Sequence, residues 1–152
     1  MSAPLRNPGD LAARLDLALP ERLLLVDAPE PLRALAQSAR PGRPEPDAVE
    51  AEAIRAVKEM YDAILVWREE RPGSQALLTR AAKHLSSGGT LWVVVARRKV
   101  TGPRTPAVHR LSREDAAKTF EKVGLAADRE VPVTAWHVAH RFVKAKPRGY
   151  ST

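Results

Sequence analysis

The sequence predicts an α/β fold in three layers: a mostly parallel sheet between helices, with an antiparallel hairpin at its C-terminal end. Three observations carry this. Residues 22–27 (RLLLVD), 62–67 (DAILVW) and 90–96 (TLWVVVA) are apolar at nearly every position. Uninterrupted aliphatic runs of that length mark strands covered on both faces, as in parallel sheets. Helical patterns lie between these runs, and such alternation points to a doubly wound sheet. The chain then closes on two strand patterns with no helix between them, 126–133 and 135–144, which is the sequence form of a hairpin.

The elements follow in order. Asn7 can cap a short helix with Pro8 at its first position. Leu11, Leu15 and Ala18 share one face of it, and Pro20 ends it. After the first strand, Ala28-Pro29-Glu30-Pro31 leads into a helix through Leu32, Leu35, Ala36 and Ala39. Residues 39–46 hold three prolines and read as a loop. Asp47 with Glu50 forms a capping-box pattern, and Val49, Ala53, Val57 and Met60 recur at helical spacing, so a longer helix is predicted there. Residues 68–73 turn. Ser74 is the expected cap of a helix that carries Leu77, Ala81 and Leu85 inward and reaches His84, near whose end Gly88 and Gly89 form a turn. A long loop follows Lys99. Ser112 with Asp115 signals a further helix lined by Ala116, Phe120 and Val123 and stopped by Gly124. Pro132 places the next strand at an edge or at its own end. The last strand alternates Trp136, Val138, His140 and Phe142 with smaller or polar neighbours and is expected to be half exposed. One domain spanning 1–145 and a loose basic tail at 146–152 are expected.

Composition bounds the chemistry. The 152 residues include no cysteine, which excludes disulfides, thiol nucleophiles and thiolate metal sites. The N-terminal stretch has no apolar core of signal-peptide length, and no apolar run approaches the roughly 18 residues of a membrane span. A cytoplasmic protein with no membrane partner is expected. The net charge is +7, unevenly placed: residues 1–96 carry 12 basic and 13 acidic side chains, residues 97–152 carry 13 and 5. A basic half suits a polyanionic partner, or only a solvated surface.

Specific residues carry a resemblance. Tyr61-Asp62-Ala63-Ile64-Leu65, then a helix, then Leu85-Ser86-Ser87-Gly88-Gly89-Thr90-Leu91-Trp92-Val93 resembles the second half of class I S-adenosylmethionine-dependent methyltransferases. Those proteins carry an aspartate-led fourth strand and a Leu-x-x-Gly-Gly turn before the fifth. A final helix ending in Gly124-Leu125, followed by two strands, is also similar to them. More narrowly, Val26-Asp27-Ala28-Pro29-Glu30, Leu91-Trp92-Val93 and Trp136 with Arg141-Phe142-Val143 resemble a group of small bacterial proteins whose methyltransferase-like fold is degenerate. The resemblance covers roughly residues 11–144 and implies a Rossmann-like, methyltransferase-like fold. It also implies where a cofactor would lie: against Asp27, Ala28, Pro29 and Glu30. The family has a glycine-rich turn there, where this chain has two prolines and no glycine. Proline removes a backbone donor and stiffens the turn. The family also holds the ribose hydroxyls with an acid at the end of its second strand. Here the matching region is the loop around 41–46, with Glu45 or Asp47 the only candidates. On this reading no cofactor is expected, with S-adenosylmethionine the one that the fold would allow.

Other chemistry is sparse. His137 and His140, three apart on a strand, point to opposite faces, and no cysteine or close carboxylate completes a metal site with them, so no metal is expected. His84 and His109 complete the set, and all four read as structural histidines. No Gly-x-Ser-x-Gly elbow, phosphate loop or HExxH is present, and no catalytic residue is assigned. Asp27 ends a strand at the ligand edge of the sheet, where it serves a ligand or caps a helix. Trp67, Arg68, Arg97, Arg98, Lys99 and Arg104 should form a basic lip on that same edge. Trp92 and Trp136 read as sheet packing. The predicted function is a non-catalytic methyltransferase-like domain that binds an anionic ligand or a macromolecular partner. Two alternatives stay open: an S-adenosylmethionine-dependent methyltransferase with an atypical cofactor turn, and a nucleic-acid-binding accessory protein.

Overall fold

Strands that are apolar on both faces need cover on both faces. In a computed structural model describing residues 3–145, six strands meet that need in one sheet. They are β1 (Leu23–Val26), β2 (Asp47–Val49), β3 (Tyr61–Trp67), β4 (Leu85–Ala96), β5 (Leu125–Pro132) and β6 (His137–Lys144), in the order β2-β1-β3-β4-β6-β5. The first four in that order run parallel, with Leu25 opposite Leu65 and Leu65 opposite Trp92. β6 is antiparallel to both β4 and β5, which gives the expected hairpin beside the parallel sheet. The expected tail at 146–152 lies outside the described residues. None of the helices described is long and apolar enough to cross a membrane.

Alternate side chains of each strand serve different layers. Leu24, Val26, Ile64, Val66, Leu91 and Val93 pack with Leu77, Leu78, Ala116 and Phe120 of α3 (Ser74–Ala82) and α4 (Arg113–Glu121). Leu23, Leu25, Ala63, Leu65, Trp92 and Val94 pack with Leu11, Leu32 and Ala36 of α1 (Pro8–Arg14) and α2 (Glu30–Ser38). Full burial of each such aliphatic side chain stabilises the fold by about 1.5–3 kcal/mol. The capping box at the start of α4 is present: Ser112 Oγ accepts from the Asp115 amide at 3.0 Å, and Asp115 accepts from the Ser112 amide at 3.2 Å.

Several expectations fail for identifiable reasons. No long helix follows Asp47. Residues 47–49 extend instead, with Val49 opposite Val26, and a six-residue 3-10 helix, Ala51–Ala56, takes the rest. Pairing to β1 outweighs the local helical pattern. The buried anchor there is Ile54, while Met60, on the expected helical stripe, is 48 % exposed. Ser74 is the first residue of α3 rather than its cap, a position held by Gly73 at φ 79. α3 stops at Ala82, and the sheet resumes at Leu85 through an irregularity that sets Tyr61 opposite Leu85 but Ala63 opposite Thr90. Gly89 lies inside it, where a Cβ would stand 2.8 Å from the Asp62 carbonyl oxygen and 2.7 Å from Leu85 Cδ1. The last strand is not half exposed. β6 lies between β4 and β5, and His137, Val138, Ala139, His140 and Phe142 are all buried.

Candidate functional site

Because β1, β2, β3 and β4 are parallel, their C-terminal ends open on one edge, where ligands of α/β sheets collect. The turn after β1 is built around Asp27, at φ 55. Its amide donates to Val49 O at 2.9 Å, and its Oδ1 accepts from the Ala51 amide at 2.9 Å. Asp27 therefore caps the 3-10 helix after β2 and fastens two strand ends together. Ala28 is buried beneath the turn. The amides of Leu32 and Arg33 both donate to Pro29 O, at 3.0 and 3.1 Å. Pro31 has no amide to offer, so Glu30 alone keeps an unpaired N–H in the first turn of α2, among the described residues. Arg33 folds back, Nη1 donating to Ala28 O at 2.8 Å. A cofactor held by close backbone approach meets two proline rings and a single amide here.

The second strand tells differently. β2 ends at Val49, so the acid that follows a second strand is Glu50, neither of the two expected. Glu50 and Asp27 line an open cleft of about 500 Å³ with Ala28, Arg33, Ala48 and Val49. Glu45 instead accepts from Gln37 at 3.2 Å. Asp47 lies at the other end of β2, where it accepts a 2.6 Å hydrogen bond from the Tyr61 hydroxyl. Burial and that carboxylate together push the Tyr61 hydroxyl well above the usual phenol range.

The residues expected to form a basic lip differ in exposure. Arg68 turns inward: Nε donates to Glu70 O at 3.0 Å, Nη2 donates to Pro72 O, and its side chain is 16 % exposed. It braces its own loop. Arg98, Lys99 and Arg104 are exposed, and Arg97 is half-buried. What organises this loop is the buried Arg110, which donates to the carbonyls of Thr105 at 2.8 Å, Arg97 at 2.7 Å and Arg98 at 3.2 Å.

Beside the turn lies a partly open cavity of about 130 Å³. Pro29, Pro31, Trp67, Gly102, Pro103 and Trp136 line it, and so does Arg104, which has no ion pair among the described residues. Trp136 is pressed flat by Gly102, where a Cβ would fall 1.9 Å from the indole. The floor is polar. His137 packs against Trp67 with ring centres 4.5 Å apart and planes tilted by 44°. His137 Nε2 meets Glu69 Oε2 at 2.6 Å, and its Nδ1 meets Thr134 Oγ1 at 2.9 Å. Thr134 Oγ1 also accepts from the amides of Trp136 and His137, both at 3.0 Å. With its acceptor capacity filled, the hydroxyl donates to Nδ1, so Nε2 carries the ring proton and donates to Glu69. That bond, more than any other influence, holds the Glu69 carboxyl below the usual range against the opposing effect of burial.

Each of the two strand histidines has a single carboxylate beside it. Glu69 reaches His137, and Glu130 comes within 3.6 Å of His140 on the opposite face. Glu69 lies 68 residues from His137, and no local pattern joins them. Of the others, His109 ends a 3-10 turn, and His84 Nδ1 lies 3.2 Å from Glu59 O. Among the described residues, no three His, Asp or Glu side chains converge as metal ligands do. A threonine, a histidine and a carboxylate in series have the composition of a nucleophile relay. Here both ring nitrogens are committed, and Thr134 is 1 % exposed with its lone pairs taken. The series holds the hairpin turn against the loop after β3.

No family model matches the chain, and no curated protein matches it. Solved structures do. The mitomycin 7-O-methyltransferase MmcR superposes with a TM-score of 0.70 at 15 % identity, over 91 % of this chain and 53 % of its own. A SAM-dependent methyltransferase from Aquifex aeolicus gives 0.68 at 11 % identity, over 90 % and 88 %. The N-methyltransferase NodS from Bradyrhizobium japonicum gives 0.60 at 16 % identity, over 92 % and 98 %. The chain thus spans about half the length of MmcR and nearly all of NodS. At these identities the likeness establishes a methyltransferase-like, Rossmann-like fold.

Proposed function

We propose that this chain is a methyltransferase-like domain that binds a small aromatic anion, without catalysis, in the cavity between Trp67 and Trp136. The observation that carries this reading is the cavity itself, at about 130 Å³. A dry cavity of about 150 Å³ takes a benzene ring. Two indoles and two prolines supply apolar faces for such a ring, and Arg104 supplies a free guanidinium for its carboxylate. The Glu69 carboxylate also lines the cavity and repels an anion, and the Arg104 guanidinium has to outweigh it. The commitment of Thr134 and His137 to each other leaves no free base or nucleophile at the cavity.

Benzoate, benzyl alcohol and S-adenosylmethionine are the probes, followed by tryptophan emission and ligand-observed NMR. Benzoate should bind saturably. Arg104→Gln should weaken it about tenfold, the equivalent of 1.4 kcal/mol, and leave benzyl alcohol nearly unchanged. Gly102→Ala, which displaces Trp136, should abolish both. No saturation by benzoate up to about 10 mM, weaker than any useful site, overturns the reading.

Glu50 favours a second reading, that of a methyltransferase with an atypical turn, because it occupies the position where the family grips the ribose. Calorimetry with S-adenosylmethionine and its demethylated product decides between them. Low-micromolar binding that is lost in Glu50→Gln would establish the cofactor site and displace the first reading.

A further inference from the structure

The excess positive charge has a second place to act, away from the strand ends. α3 and α4 lie side by side on one face of the sheet and leave an open groove of about 860 Å³ between them. Arg71, Arg80, Lys83, Lys118 and Lys122 line it. Each is free of any ion pair among the described residues. The one acid in the lining, Asp115, is spent on the capping box of α4. Beyond Arg80 the groove continues to Arg55, and Glu52 lies there too. The cations are paired at the end of each helix, Lys118 with the C-cap Lys122 on one side and Arg80 with the C-cap Lys83 on the other, both C-caps keeping helical backbone. Residues so spaced share a helix face, about 5–6 Å apart. Like charges held that close repel and lower stability unless something offsets them.

We propose that this groove docks the phosphodiester backbone of a nucleic acid. Two facing rows of unpaired cations complement a continuous polyanion. None of the exposed large apolar residues, Leu19, Met60, Val108 and Val123, lines the groove. A membrane-surface site would present such residues for insertion. No aromatic side chain lines it either, so base stacking contributes nothing. Binding is therefore independent of base sequence and steep in salt. The groove is separate from the aromatic cavity, and this docking does not depend on a ligand there.

Fluorescence anisotropy of the full chain with a labelled mixed-sequence oligonucleotide, single-stranded and duplex, tests this. With five contacts, log K should fall against log salt with a slope near −4.5 for duplex and −3.5 for single strands. The triple variant Arg80→Ala/Lys118→Ala/Lys122→Ala should make either slope shallower by about two to three. The triple Arg97→Ala/Arg98→Ala/Lys99→Ala at the strand ends should leave it nearly unchanged. Circular dichroism melting checks that both variants fold. Anionic phosphatidylserine vesicles and polyglutamate are the comparison ligands. Equal or tighter binding to either overturns the proposal, and so does a loss confined to the strand-end triple. Absence of a shift with both oligonucleotides at about 20 mM salt, where phosphate contacts are strongest, also overturns it.

Discussion

His137, the first residue of β6, donates its ring proton across 2.6 Å to Glu69, in the loop after β3. The bond joins the hairpin to the parallel half of the sheet. Glu69→Gln replaces an ionised acceptor with a neutral one in a mostly buried network, and should cost about 1–3 kcal/mol in urea unfolding. The Glu69 carboxyl titrates below its unfolded value. Its stabilisation is thus present above the ordinary carboxylate range and lost as pH falls through the folded value. The variant should lack that acid-dependent loss. Nitrogen-15 NMR at neutral pH should find the His137 proton on Nε2.

His140 titrates in the opposite sense to a paired histidine. Burial lowers its pKa from 6.5, and Arg113 and Arg97 add to this, while Glu130 and Glu114 act against it. Burial prevails over the 3.6 Å approach of Glu130 because that carboxylate is 65 % exposed. The unfolded chain therefore takes up the proton first. Stability should decline as pH falls below about 6.5 toward the folded value, and hold steady above it. Denaturant midpoints between about pH 7.5 and 5 should trace that slope. His140→Gln should flatten it.

Gly89→Ala should destabilise by about 1–3 kcal/mol, because a methyl group there meets the Asp62 carbonyl and the Leu85 side chain. Backbone crowding of that kind is not relieved by a rotamer change. The loss should appear in Tm as well as in urea.

Asp27→Ala should lose the Ala51 cap and place a side chain without hydrogen-bonding capacity at φ 55. A cap alone is worth about 1 kcal/mol. Asp27→Gly loses the cap but tolerates the backbone, so it should melt above Asp27→Ala. The reverse order would mean that the turn relaxes on its own.

Legibility in the sequence followed burial and locality. β1, β3 and the core of β4 announce themselves because cover on two faces demands unbroken apolar runs. Ser112 and Asp115 are three residues apart, so their reciprocal bonds are local. β2 is three residues long, mostly exposed and set at the sheet edge, so its burial leaves almost no apolar trace. Glu50 was hidden with it. The capping-box pattern at Asp47 and Glu50 was a local coincidence overruled by pairing to β1. The cavity joins the start of α2 with three separate loops, and only tertiary structure brings Pro31, Glu69, Gly102 and Trp136 together.

The way the sheet ends has a consequence for life at high concentration. An open sheet with long flat margins invites another copy to add a strand and begin a fibril. One margin here, β2, is too short to template much. The other, β5, bears Asp128, Arg129 and Glu130 at its exposed centre. Its register slips there, with Ala127 opposite Phe142 and Arg129 opposite Arg141, so Asp128 has no partner residue in the ladder. Instead its carboxylate grips the Arg141 guanidinium at 2.6 and 2.8 Å. An incoming strand would have to straighten this bulge and bury three charges, so the sheet resists growth from both sides.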